Sequence, residues 1–320
     1  MNKKIKILLT NTGRRTYFIN FLTKIKIFNN DLDIHISDCT YDTSSFYSKK
    51  FIKKLITPQV KKDQKNYIEI LLSYCKKNNI NFIIPLTDLD LILLAKNENN
   101  FLKIKTKIIS NNLDIIKICE NKLSFNKFLK NNNFLYPKYS KNLKDFKNTN
   151  FKIVEKKING SGSDDQSNYK NVSYINSVRK DFFLSKFIDG KEYGIDILND
   201  KKGNFVSCCI KEKIHMRSGE TDKAKIVEDE NILNFSKKLS LSLNHRYNID
   251  CDIIVDKKGS IYCLDINPRF GGGYAFTHLS GLNYIKYILY DELNLKYKLK
   301  KKPKKIIGMK SLSLEYYSNE

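Results

Sequence analysis

Short apolar runs and amphipathic helical stretches alternate along the first third of the chain, and few architectures accommodate that order. Ile5 to Thr10 reads as a strand, Tyr17 to Lys26 as a helix and Leu32 to Ser37 as a second strand. After a loop containing Asp42-Thr43-Ser44-Ser45 come a helix at about Tyr67 to Asn78, a strand over Asn81 to Pro85 and a helix beginning near Asp88. Strands joined by crossover helices form a parallel sheet, and ligands meet such sheets at the loops leaving the carboxyl ends of the strands. Two loops qualify, Asn11-Thr12-Gly13-Arg14-Arg15 and Thr87-Asp88-Leu89-Asp90, and both are expected to face one cleft. A glycine after a first strand serves a tight turn as readily as a phosphate. The arginines beside it add forked cations that suit carboxylate or phosphate, so Arg14 and Arg15 are substrate candidates, with Asp88 opposite them.

The pattern then changes. From about Asn111 to Phe146 it is helical, with Ile115, Ile118, Cys119, Leu123, Phe125, Phe128 and Leu129 on one apolar face, and Pro137 ends the run. From Phe151 onward it is strand-rich, with candidate strands at Phe151 to Glu155, Phe182 to Ile188, Gly194 to Leu198, Phe205 to Lys211, Cys251 to Val255 and Ser260 to Ile266. The basic run Lys298 to Lys305 reads as a solvated connector before a last strand, Ile306 to Leu314. These changes divide the chain at 1–110, 111–184, 185–297 and 298–320. At 320 residues it has room for two or three compact units with a cleft between them.

Composition excludes several classes. The net charge of +24 comes almost entirely from Lys spread through every segment, so it describes ordinary solvated surface better than a specific nucleic-acid face. The seven cysteines lack a C-x-x-C pair and read as reduced core residues of a cytoplasmic protein. The four histidines, at 35, 215, 245 and 278, share no metal-ligand spacing. The N-terminal apolar stretch is too short for a signal sequence, and no run reaches the eighteen or so apolar residues of a membrane span.

Two segments carry chemistry. Ile153-Val154-Glu155-Lys156-Lys157-Ile158-Asn159-Gly160-Ser161-Gly162-Ser163 is a strand running into a Gly/Ser loop, which is either an anion cradle with a cation beside it or a flexible hairpin. Neither G-x-x-x-x-G-K-[ST] nor G-x-G-x-x-G occurs, so any nucleotide site is of another kind. The stronger segment is Cys263-Leu264-Asp265-Ile266-Asn267-Pro268-Arg269-Phe270-Gly271-Gly272-Gly273-Tyr274. Asp265 and Asn267 lie two apart on an expected strand and share a face, placing two hard oxygen donors side by side. Such donors suit magnesium. Asp252, on the preceding strand of a hairpin turning at Asp256-Lys257-Lys258-Gly259, can add a second carboxylate.

In this order and spacing the segments resemble the ATP-grasp superfamily, above all members related to the large subunit of carbamoyl-phosphate synthase. The resemblance implies an α/β fold with an N-terminal Rossmann-like parallel-sheet domain followed by a two-lobed α+β ATP-grasp domain. It implies that Lys122 and Lys156 reach the ATP phosphates under a mobile loop formed by Gly160, Ser161, Gly162 and Ser163. Adenine would meet the backbone near Lys186, Phe187 and Ile188, and the ribose would meet Glu192. Lys211 or Lys213 would contact the terminal phosphate. Asp252, Asp265 and Asn267 would hold Mg2+, or Mn2+ in its place, and Arg269 would stabilise an acyl phosphate. Arg217 and Gly272 would face substrate. The family often has Glu where Asp265 stands. The synthase branch has Gln where Asp252 stands, and the acidic residue resembles the D-alanine ligase branch. Lys157-Ile158 replaces a frequent Pro-Arg, and Ser185 an acidic or amide residue.

The activity implied is ATP-dependent coupling of a small-molecule carboxylate to an amine, with ADP as product. A carbamoyl-phosphate-type synthase, a small-molecule kinase and a non-catalytic ATP-binding regulator are the alternatives. A homodimer through the N-terminal domain is common among such proteins. Neither specific nucleic acid nor membrane is expected as a partner.

Overall fold

The computed structural model describes residues 4–48, 52–147, 149–159, 166–217 and 219–311. Its first part is β1 (Lys6–Thr10), α1 (Thr16–Leu22), a small hairpin β2 (Lys26–Ile27) and β3 (Asn30–Asp31), β4 (Asp33–Asp38), β5 (Lys53–Ile56), α2 (Gln64–Asn78), β6 (Phe82–Pro85), α3 (Leu91–Lys96), α4 (Glu98–Lys103) and β7 (Lys107–Ile108). The sheet runs β5-β4-β1-β6-β7 with every pair parallel, as the alternation predicts. Crossover helices need firm ends, and α2 has them: Asp63 accepts from the Asn66 N–H, and Asn79 closes the helix in the left-handed region at φ 52°. The helix expected near Asp88 begins three residues later, with Asp90 at its N-cap and the Asp90 carboxylate accepting from Tyr67 Oη at 2.7 Å.

The middle region has two helices and a small sheet. The helices are α5 (Leu113–Glu120) and α6 (Lys122–Asn131), and the strands are β8 (Tyr139–Ser140), β9 (Ile153–Lys157), β10 (Ser167–Tyr169) and β11 (Phe182–Lys186), ordered β10-β9-β11-β8. The expected single helical face is thus broken at Asn121, which leaves the helical region and caps α6 by accepting from the Leu123 and Ser124 N–H groups. The core of this lobe is small, built on Phe146, Ile153, Ile175 and Leu184.

The remaining elements are β12 (Gly190–Asn199), β13 (Phe205–Arg217), β14 (Glu220–Val227), α7 (Glu230–Leu243), β15 (Tyr247–Asp256), β16 (Ile261–Asn267), α8 (Tyr274–Leu279), α9 (Tyr284–Glu292) and β17 (Ile307–Met309). They form an antiparallel sheet, β16-β15-β12-β13-β14-β17. Arg217, expected to face substrate, is the last residue of β13 and pairs with Glu220 at the start of β14. The basic connector is docked: Leu299 and Ile306 pack on the core while its lysines face water, and β17 closes the sheet edge. Residues 312–314 of the expected last strand lie outside the described residues.

One apolar core joins the first sheet to this last one. Phe18 meets Phe270 edge-on at 5.1 Å between ring centroids, and Phe21 stacks on His278 at 3.7 Å. All seven cysteines are free thiols; Cys39 is exposed, contrary to the core reading, and Cys208 is only partly buried. Among the described residues, no helix is long and apolar enough to cross a membrane.

Candidate active site

Cross-strand register builds the floor of the site. Asp252 on β15 pairs with Asp265 on β16, and Asp250 pairs with Asn267. Four oxygen-bearing side chains therefore share one face, while Cys251 and Ile266 between them point into the core. Leu264 is an extra residue on β16 between the Asp252–Asp265 and Ile253–Cys263 pairs, a bulge of the kind that re-aims side chains at a sheet edge. The shared face of Asp265 and Asn267 is as the spacing requires. Asp250 was missed, although its position two residues before Asp252 carried the same signal.

Lysines from both lobes meet these carboxylates. Because Asn121 caps α6, Lys122 is its first residue. Its N–H donates to the Ile158 carbonyl at 2.9 Å, tying the helix to the end of β9, and its ammonium lies 3.1 Å from Asp265 Oδ2. On β9 the alternation sends Glu155 inward, where its fully buried carboxylate accepts from Arg179 Nε at 2.7 Å. Lys156 is sent outward to the cleft. Its amine is largely desolvated, and burial, reinforced by Lys122, lowers its pKa against the opposing pull of Asp265, Glu192 and Asp252. The Gly160, Ser161, Gly162 and Ser163 loop lies outside the described residues.

The sequence left Lys211 and Lys213 as equals, and depth along β13 separates them. Lys211 is 1% exposed and 2.6 Å from the buried Asp196, which also accepts from Thr277. Its ammonium is sealed beneath the glycine triplet, since a side chain begun at Gly273 would come within 3.1 Å of it. A Cβ at Gly271 would overlap the Asp250 carboxylate at 1.9 Å, so that position is glycine because this polar network lies directly behind it. Burial, partly offset by Lys211 and reinforced by Asp252, raises the Asp250 pKa. Lys213 stands at the cleft instead, 2.8 Å from Asp252 and 3.9 Å from Glu192. Burial alone would lower its pKa; those two carboxylates raise it.

The segment Lys186 to Ile188 is held through its backbone. The N–H of Lys186 donates to the Lys138 carbonyl and that of Phe187 to the Lys152 carbonyl, both at 2.8 Å. Phe187 is half exposed, Ile188 is buried and Glu192 is open to solvent.

Arg269 lies against the loops of the first sheet. The loops after β1 and β6 do meet there, joined by Asn11 Nδ2 donating to Tyr67 Oη at 3.3 Å and Tyr67 to Asp90. Arg15 interacts with Tyr17 and Glu220, and its Nε–H is buried without a partner among the described residues. Arg14 is exposed nearby and acts on Glu220 through its charge. Glu220, which the sequence reading did not single out, accepts from Lys310 at 3.0 Å and lies close enough to Gly272 that a Cβ there would meet its carboxylate at 3.0 Å. Arg217 is peripheral, largely exposed and 3.6 Å from Asp222. Asp88 does not face this space freely: both its oxygens accept from Arg269, Oδ1 from Nε at 2.8 Å.

Among the described residues, no three His, Cys, Asp or Glu side chains converge as a self-sufficient metal cage. Asp252, Asp265 and Asn267 nevertheless fit a magnesium ion that takes a few protein oxygens and completes its shell from water and phosphate. Each of the two carboxylates already faces a cation in Lys213 or Lys122, so the face is built to neutralise positive charge.

Comparison with known sequences accords with this geometry. Residues 119–273 match the ATP-grasp domain family and residues 7–109 the PylC-like N-terminal domain family. Residues 119–273 thus carry an ATP-grasp domain. Among individual relatives it is similar to the carbamoyl phosphate synthase large chain of Caldanaerobacter subterraneus subsp. tengcongensis, 26% identical over 55% of this chain and 18% of the relative. The match therefore spans less than a fifth of that protein. Among solved structures it is similar to the L-amino acid ligase of Bacillus licheniformis, with TM-score 0.67 and 16% identity over 92% of this chain and 75% of that one. It is also similar to the ADP complex of an N5-carboxyaminoimidazole ribonucleotide synthetase, with TM-score 0.72 and 12% identity over 96% and 82%. These structural likenesses establish the fold.

Proposed function

We propose that the chain is an ADP-forming ligase that activates a small-molecule carboxylate with ATP and couples it to an amine. The supporting observation is the convergence of Lys122, Lys156 and Lys213, from two lobes, on one face bearing Asp252 and Asp265. In this reading the three ammonium groups bind the ATP phosphates, with Lys213 rather than Lys211 at the terminal one. Lys211 positions the glycine turn from below. The Gly160 to Ser163 segment covers the phosphates, the backbone near Ile188 meets adenine, and Glu192 meets the ribose. Asp252, Asp265 and Asn267 hold Mg2+, which supplies charge neutralisation when bound.

Catalysis is then positioning and electrostatics, with no protein nucleophile. A substrate carboxylate oxygen attacks the terminal phosphorus, the bond to the ADP oxygen breaks, and an amine nitrogen displaces phosphate from the acyl carbon as it loses its proton. Arg269 steadies the charge on the transferring group, and Arg15, with its unused Nε–H, holds a substrate anion beside Glu220 and Gly272. The working division is 1–110, 111–184, 185–297 and 298–320, with a homodimer through the first region as the assembly to look for.

Incubation with ATP, Mg2+ and pooled carboxylates and amines, with ADP and AMP followed separately, tests the reading. Substrate-dependent ADP is expected. AMP with pyrophosphate would replace the acyl-phosphate route by adenylation, and tight ATP binding without turnover would favour a regulatory role.

A further inference from the structure

Arg269 and Asp88 are 181 positions apart, one on the loop after β16 and the other on the loop after β6. Their contact is a two-point fork. Asp88 accepts from both Nε and Nη2 of the same guanidinium, with Nε to Oδ1 at 2.8 Å, and the Arg269 side chain is only 8% exposed. The remaining nitrogen, Nη1, donates to the Phe270 carbonyl at 3.2 Å. Both ends of the contact are braced. Asp90 anchors its loop through Tyr67, while Asn111 and Asn248 donate to the carbonyls of Pro268 and Arg269 at 3.5 and 3.3 Å. A cation so held has one orientation in which to meet a developing charge, and little rotamer freedom left to lose.

We propose that Asp88 is a positioning residue that holds Arg269 in its working orientation across the boundary between the first sheet and the last, and is not a contact to substrate. The first sheet then takes part in chemistry through this fork as well as by enclosing substrate. The proposal rests on the role given above to Arg269, but its structural half can be tested alone.

Arginine-labelled protein gives an Nε–H signal for Arg269, identified by its loss in Arg269→Lys. In the full chain the signal should be slow to exchange in the wild type and in Asp88→Glu, and lost to fast exchange in Asp88→Asn. In the ADP assay with the carboxylate and amine pools, Asp88→Asn should lower kcat tenfold or more with the KM for ATP within twofold. Asp88→Glu should recover most of the rate, and adding Asp88→Asn to Arg269→Lys should cost little more than Arg269→Lys alone. An unchanged Nε–H signal in Asp88→Asn would overturn the proposal. So would a raised carboxylate KM at unchanged kcat, which would make Asp88 a substrate contact. If the wild type releases no ADP, the ligase reading fails while the Nε–H signal still decides what Asp88 does.

Discussion

Lys156 is the residue at which nucleotide binding should be most sensitive to pH. Burial lowers its pKa from 10.5, so the free protein loses this charge earlier on the alkaline side than an exposed lysine would. The folded value lies below the unfolded one, so in the window between them the unfolded chain holds the extra proton and stability rises with pH up to about 10.5. A phosphate beside the amine reverses the shift, and nucleotide binding in that window takes up a proton. Calorimetry of ATP binding over a series of pH values below about 10.5, in buffers of different ionisation enthalpy, should therefore show proton uptake that vanishes in Lys156→Arg. Lys156→Met should weaken ATP roughly 10- to 100-fold, the equivalent of one charge-assisted hydrogen bond. Equal proton uptake in Lys156→Arg would remove Lys156 from the phosphate site. The sequence showed such residues unevenly. Asp265 and Asn267 were legible because a period of two puts them on one face. The same period put Lys211 and Lys213 on one face too, and only their three-dimensional neighbours, Asp196 beside Lys211 and Asp252 beside Lys213, distinguish them.

At the scale of elements, the two lobes should differ in stability. The lobe carrying Lys156 centres on a cluster of four buried apolar side chains, whereas the sheet carrying Asp252 packs against α5, α6 and α7 over a much larger core. Local opening follows buried contacts, so amides of β9 and β11 should exchange with solvent well before those of β12 and β15. Magnesium with a non-hydrolysable ATP analogue, bound by lysines from both lobes, should slow β9 and β11 most. Hydrogen exchange read by mass spectrometry checks this; uniform protection before ligand addition would contradict it. The existence of these strands was readable from alternation, and their ends were not. β12 starts at Gly190, four residues before the expected strand, because its pairing with β15 continues past the apolar run through Lys191 and Glu192. α7 went unread, although Asp229 caps it by accepting from the Ile232 N–H.

For the whole molecule, the contact least visible in the sequence is the apolar core shared by the first and last sheets. The spacing of Phe18 and Phe21 marks a buried helix face, yet nothing local says that Phe270, Tyr274 and His278 cover it. That contact carries a titratable ring. Burial, then the nearby Lys24, holds His278 down at about 4, and burial alone holds His245, behind the joint formed by Arg246 with Glu98 and the Ser110 carbonyl, at about 4. Both rings are neutral in the fold at pH 7, whereas an unfolded histidine titrates near 6.5. Between those values the unfolded chain binds protons that the native one excludes, so stability is full above about 6.5 and falls as pH drops toward 4. Between pH 7 and pH 4.5 fully buried His245 should account for about 2 kcal/mol of that loss. Urea unfolding at pH 7 and pH 4.5 measures it. His278→Phe, which keeps the stack on Phe21, and His245→Met should each lose less stability over that range than the wild type, because the carboxylates that also titrate are common to all three. Equal losses in all three would mean that neither imidazole controls the acid stability of the joined core.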